Sequence, residues 1–310
     1  MPLRPFRFGV TAPSPDAGTD WIERARRVER LGYSILVVPD HFRDHLAPVP
    51  ALTAAALSTS RLRVGSLVFS NDFRHPAVLA RDAATIDVLS GGRFELGLGA
   101  GWLRAEYDQA GIPFDAPGTR VERLEEAVTI IKGLLAGERV TFAGRHYTVA
   151  DLEGRPTPVQ RPHPPLAIGG GGRRTLTLAA REASIVGLVP RARRDGGGLD
   201  LTDLSDAATR EKIDWVRAAA GARFDSLELH ALIQAVGVGE GRTVAADQLA
   251  ARFKVALEVV LETPYVLLGT IEQICDTLQQ RRERYGISYL TVFERDMEAF
   301  APVVTRLAGT

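Results

Sequence analysis

The chain of 310 residues is short of lysine, cysteine and methionine, carries no surplus of charge of either sign, and contains no long apolar run. Acidic and basic residues number 38 each, so no overall field draws nucleic acid or anionic lipid, and any charged ligand has to be caught locally. Only three of the 38 basic residues are lysine. The single cysteine, Cys275, excludes an internal disulfide and sits in no metal-ligand spacing. No stretch approaches the roughly 18 apolar residues of a membrane helix. The start, Met-Pro-Leu-Arg-Pro-Phe-Arg-Phe, enters a strand-like segment without the apolar core of a signal peptide. These absences predict a cytoplasmic protein with neither nucleic acid nor membrane as partner. What is present, 45% hydrophobic and 25% charged residues, suits a soluble chain that buries a large core.

Short β-branched runs alternate with longer helical patterns, which is the mark of strand–helix units and a parallel sheet. Eight strands are predicted, over residues 6–10, 34–38, 62–69, 93–98, 165–168, 184–188, 226–236 and 288–293. Most are continuous apolar runs rather than alternating ones, as strands covered on both faces should be. Helices are predicted over 20–31, 76–89, 119–135, 173–181, 206–220, 270–285 and 298–307. In the first, Trp21, Ala25 and Val28 share a face while Asp20 and Glu23 suit the first turn. The expected fold is α/β, a single eight-stranded (β/α)8 TIM barrel with insertions, spanning residues 1–310 as one domain. The insertions are 137–164, which reads as a hairpin around Gly144-Arg145; 189–203, an arginine- and glycine-rich surface loop; and 237–263, helical from 244 to 260.

In such a barrel the side chains just past the carboxyl ends of the strands line the cleft. Asp40 and His41 follow the run Ser34 to Pro39 at that place. Together with Asp44 and His45 they could form a metal cluster, since histidines four apart share a helical face, but no second His or Asp pair stands at another strand end. The other readings of His41 are a ring-stacking acid or base and a buried histidine bonded to Asp40. The segment Gly97-Leu98-Gly99-Ala100-Gly101-Trp102 fails as a dinucleotide fingerprint, because Trp102 occupies the place of the third glycine. Gly99 and Gly101 instead allow close approach of the backbone, either to a flat ligand or to neighbouring chain. Gly169, Gly170, Gly171 and Gly172, followed by Arg173, Arg174 and a helix start, form a prospective anion site or else a flexible connector.

Taken in order, Pro39-Asp40-His41-Phe42, Gly65-Ser66-Leu67-Val68 leading to Arg74-His75-Pro76, Ser90-Gly91-Gly92-Arg93 with Gly97 to Trp102, and the Gly169 to Thr175 segment resemble the bacterial luciferase-like monooxygenase superfamily. More narrowly, the chain resembles its coenzyme F420-dependent oxidoreductase branch. The resemblance implies hydride transfer between a deazaflavin, coenzyme F420, and a small-molecule substrate, in a homodimer. His41 would be proton donor or acceptor, with Asp40 orienting it. Ser66, Leu67 and Val68 would form a bulge behind the ring, where the family has a non-proline cis bond between the residues matching Leu67 and Val68. Gly99, Gly101 and Trp102 would flank the ring, and Gly169 to Gly172 with Arg173 and Arg174 would hold its phosphate. FMN, which shares ring and phosphate, is the alternative cofactor and would permit oxygenation. A flavin-binding protein without turnover and a metal-dependent hydrolase are the rival classes. The sugar-phosphate dehydrogenase branch has glutamate where this chain has Trp102 and tryptophan where it has His45. Glucose 6-phosphate is therefore not the expected substrate, and Trp102 with Asp72, Phe73 and Tyr107 suggests an apolar pocket wall.

Overall fold

The computed structural model describes residues 3–12 and 21–310, which leaves Asp20, the expected cap of the first helix, outside the described residues. Eight parallel strands close into a barrel. They are β1 (Arg7–Thr11), β2 (Ile35–Val38), β3 (Arg63–Ser66), β4 (Phe94–Gly99), β5 (Leu166–Gly170), β6 (Ile185–Leu188), β7 (Glu228–Leu232) and β8 (Ile287–Phe293). Each pairs with its neighbours in order, β8 closing on β1 through Val10 opposite Val292, and β3 resumes at Phe69–Ser70 to run beside the end of β4. All eight fall where apolar runs predicted them. The seventh is shorter than expected. It stops at Leu232, and the chain re-enters extended form at Ala235–Val238 to pair in parallel with Val266–Gly269 outside the barrel.

Two hydrophobic clusters divide the barrel's packing. The larger lies between strands and helices: Trp21, Ala25 and Val28 of the first helix, Trp21–Arg30, face inward as the periodicity requires. A smaller one fills the lumen with Ile35, Val37, Ile185 and Tyr289. The amino-terminal end of the lumen is polar. Arg7 bridges Glu95 at 2.8 Å and Glu228 at 3.0 Å, Arg63 reaches Glu95 at 2.5 Å, and the Arg7 guanidinium lies 4.3 Å from the Tyr289 ring centroid. Burial alone would raise the Glu95 carboxyl, but the charges and hydrogen bonds of Arg7 and Arg63 outweigh it and hold the group below the usual carboxylate range. A cavity of about 340 Å³ opens on the outer side of this plug.

The insertions are built as local units. The hairpin Arg139–Ala143 with Thr148–Glu153 turns on Glu126, whose carboxylate accepts the amides of Arg145, His146 and Tyr147 at 2.7 to 3.0 Å. Segment 235–269 carries its own small core around Ala246, Val260 and Leu268. The single helix expected over 244–260 is two, Arg242–Phe253 and Leu257–Glu262, because Lys254 takes a left-handed φ of 56° that ends the first. No helix among the described residues is long and apolar enough to cross a membrane.

Candidate active site

The carboxyl ends of β2, β3, β4 and β5 meet around His41. Its Nδ1 lies 2.8 and 3.0 Å from the two carboxylate oxygens of Glu106, a residue only 4% exposed in the first turn of the short helix Arg104–Ala110. A carboxylate only accepts, so this contact places the proton on Nδ1 and leaves Nε2 as the nitrogen open to exchange. Arg43 adds its charge to Glu106 at 3.3 Å. Trp102 and His45 both meet the His41 ring edge to face, each at 5.8 Å between centroids. His45 Nδ1 is buried without a hydrogen-bond partner, and burial, followed by the charges of His41 and Arg43, holds the His45 imidazole below its ordinary value, so it is neutral near pH 7.

Asp40 does not orient His41. Its carboxylate takes two bonds from Arg74, at 2.6 and 3.1 Å, and one from the Ser70 amide at 3.0 Å. Asp40 therefore pins the start of the segment 70–74 to the end of β2, and the carboxylate in contact with the His41 ring is that of Glu106. Arg74 belongs to the Arg74-His75-Pro76 motif, whereas Glu106 lies in no motif of the sequence. The one signal for it was an acid four residues after Trp102 at a helix start, a position that acids also occupy for capping.

Beside His41 the backbone forms a floor nearly free of side chains. The Leu67–Val68 peptide is cis. Ser66 Oγ donates to the Gly97 carbonyl at 2.8 Å and accepts the Gly97 amide at 3.1 Å, tying β3 to β4 at this point. The Val68 side chain fills the space that a Cβ would need at Gly99, where a methyl would stand 2.7 Å from it, and lies 3.5 Å from such a methyl at Gly169. At Gly101, with φ +73°, a Cβ would collide with the Tyr107 hydroxyl. Gly99 and Gly101 are thus required by the packing itself, whereas Gly169 has room for a methyl, and Val68 lies at the centre of this floor.

The glycine-rich segment is only partly a loop. Gly169 and Gly170 belong to β5 and pair with Gly187 and Leu188 of β6. Gly171 packs on the backbone of Pro190 and Arg191, and Gly172 caps the helix Arg173–Glu182 without any side-chain bond to its first-turn amides. Those amides and the helix dipole suit an anion. Arg173 is exposed and, among the described residues, has no carboxylate partner; Arg174 is already engaged by Glu125 at 2.9 Å and Glu122 at 3.3 Å. Behind Trp102, Tyr107 donates to Asp72 at 3.1 Å, and Arg123 reaches Asp72 at 3.0 Å. Burial keeps Asp72 above the usual carboxylate range in spite of Arg123. Among the described residues, no group of three or more His, Cys, Asp or Glu is placed to hold a metal ion.

The structure thus defines a (β/α)8-barrel protein with an imidazole–carboxylate pair and a run of packed glycines at its carboxyl face. The chain belongs to the luciferase-like monooxygenase family, whose model matches residues 3–286. It is 35% identical over 188 residues to an F420-dependent glucose-6-phosphate dehydrogenase of Microbacterium testaceum, a match covering 58% of this chain and 55% of that one. It is 32% identical over 198 residues to an FMNH(2)-dependent dimethylsulfone monooxygenase of Pseudomonas putida, covering 57% and 54%. The chain thus spans about half the length of these curated relatives. In fold it is similar to the coenzyme F420-dependent tetrahydromethanopterin reductase of Methanopyrus kandleri, with TM-score 0.76 and 18% identity over 98% of this chain and 99% of that one.

Proposed function

We propose that the chain is an oxidoreductase that moves hydride between a deazaflavin or flavin ring and a small organic substrate, with coenzyme F420 as cofactor. The observation that carries this reading is the His41–Glu106 pair at 2.8 Å beside the floor of Val68, Gly99 and Gly169. A planar ring would lie against Val68 and the backbone it packs on, and the uncapped helix start at Gly172 with Arg173 suits its phosphate. When bound, the cofactor supplies or accepts a hydride. The residues of this chain supply the proton: His41 Nε2 gives it to the substrate atom that becomes negative as hydride arrives, or takes it back in the reverse direction. Glu106 keeps the imidazole in one tautomer and stabilises its cationic form. Trp102 covers the imidazole edge and limits water at that nitrogen. FMN satisfies the same floor and the same anion position, and the relatives include users of either cofactor by name.

The test is a titration of the purified protein with coenzyme F420 and with FMN, followed by stopped-flow hydride transfer in wild type and His41→Ala. General acid–base catalysis contributes about 10² to 10⁴ in rate, so the variant should bind cofactor with unchanged affinity and lose at least a hundredfold in transfer. Transfer at wild-type rate in His41→Ala, or failure to bind either cofactor, overturns the proposal.

A further inference from the structure

The buried charged groups around His41 are committed; among the described residues, the exposed Asp44 and Arg104 have no ion pair, and Arg104 donates to the Asp195 carbonyl and lies over the Phe114 ring. Asp40 is spent on Arg74 and the Ser70 amide, and Glu106 on His41 and Arg43. Asp72 is spent on Arg123 and Tyr107, and Arg123 also holds Asp115 at 2.8 Å. Arg120 donates to the carbonyls of Ala100, Gly101 and Asp115 and lies over the Phe114 ring. The lysines are elsewhere: Lys132 pairs with Glu182, Lys212 is buried on Asp203, and Lys254 ends a helix of the 235–269 insertion. A carboxylated or phosphorylated substrate at His41 would have to break one of these pairs to be neutralised by a buried group, which costs more than an exposed pair because the acids are buried.

Ring surface is what remains open. Phe42, the residue after His41, is 53% exposed, and its ring lies 4.6 Å from Phe73, which in turn lies 5.3 Å from Tyr107. Tyr107 is itself only 1% exposed, its hydroxyl turned to Asp72 and Ser70, so it backs the wall and the open surface is that of Phe42 and Phe73. Exposed aromatic surface next to a catalytic imidazole marks a binding wall better than it suits solvent. The polar atom beside this surface is His41 Nε2, since Glu106 holds the Nδ1 of the same ring at 2.8 Å.

We propose that the site takes an uncharged apolar molecule, with a planar ring or alkyl body packed on Phe42 and Phe73 and a single hydrogen-bonding group directed to His41. The conversion of that molecule rests on the function proposed above; its recognition does not. The full chain is therefore tested first without cofactor, using the fluorescence of N-phenyl-1-naphthylamine, an uncharged apolar probe, and its displacement by 2-naphthaldehyde or by the matched carboxylate 6-formyl-2-naphthoate. Displacement by the aldehyde at a tenfold or lower concentration than the carboxylate is expected. Phe42→Ser, at an exposed position that leaves the core intact, should weaken the probe about tenfold, Phe42→Leu should restore most of the affinity, and Val244→Ser on the distant insertion should change nothing. Equal displacement by both compounds, no probe binding by the wild type, or Phe42→Ser binding as the wild type does would each overturn the proposal. Titration of the same samples with coenzyme F420 and FMN separates the two claims: loss of cofactor binding there counts against the hydride-transfer reading and leaves the wall's preference measured.

Discussion

His230 stands in the lumen with Nε2 2.9 Å from Thr291 Oγ1 and only 2% of its surface exposed. Burial, reinforced by the charge of Arg7 and opposed by Glu95, pushes its imidazole down to about 3. In the unfolded chain it titrates near ~6.5, so below that pH the unfolded state takes up a proton that the native state refuses. The stability this neutral histidine contributes is therefore complete above pH ~6.5 and is lost as pH falls toward 3, at about 1.4 kcal/mol per pH unit. Urea unfolding at pH 7 and pH 5 should show His230→Gln losing at least 1 kcal/mol less than the wild type over that interval. Equal losses would mean that the histidine is not kept neutral. At this scale the site was half legible. His41 could be found because a histidine directly after a buried strand has few structural reasons to be there. Glu106 could not, since its spacing from His41 is set by the path of β3 and β4 and not by any local pattern. Asp40, adjacent in sequence to His41, serves Arg74, because the chain has left β2 at Val38 and the two side chains reach different partners, Arg74 and Glu106.

Among elements, segment 189–203 departs most from a sequence-based expectation. An arginine- and glycine-rich stretch reads as a free surface loop, yet here it is fastened at both ends. Ala192 bridges Leu199, Arg104 donates its amide to the Gly196 carbonyl at 3.2 Å, and Asp203 takes Lys212 at 2.5 Å and Arg191 at 2.8 Å. Lys212 is only 1% exposed, and burial lowers its ammonium from the ordinary value. Removing its anion leaves a buried unpaired charge, a loss of about 3 to 5 kcal/mol. Asp203→Asn should consequently raise the rate of limited proteolysis within residues 191–200 at least tenfold, and hydrogen exchange there should rise in parallel. Protection unchanged from the wild type would show that the fastening lies elsewhere. The barrel strands were legible because each is an apolar run bounded by polar residues. The pair 235–238 and 266–269 was not: four-residue strands that pair across 27 intervening residues leave no local signature, and Ala235 and Val236 read as the end of the seventh strand. The helix Pro48–Ser58 is nearly all apolar, without the polar stripe that reveals a helix.

At the scale of the molecule, eight strand–helix units were enough to predict the closed barrel, and family membership agrees with it. What no pattern predicted is how the lumen ends. Arg7, Arg63, Glu95 and Glu228 stop the amino-terminal mouth with a knot of ion pairs, and Ile35, Val37 and Ile185 fill the space above it. The amino-terminal mouth is therefore closed to a ligand. On the function proposed above, a product would leave by the mouth through which its substrate came, so Glu95→Gln, which loosens the knot, should lower stability in urea unfolding without changing the rate at which a bound ligand leaves the site. Faster ligand release in Glu95→Gln would make the knot a gate rather than a wall.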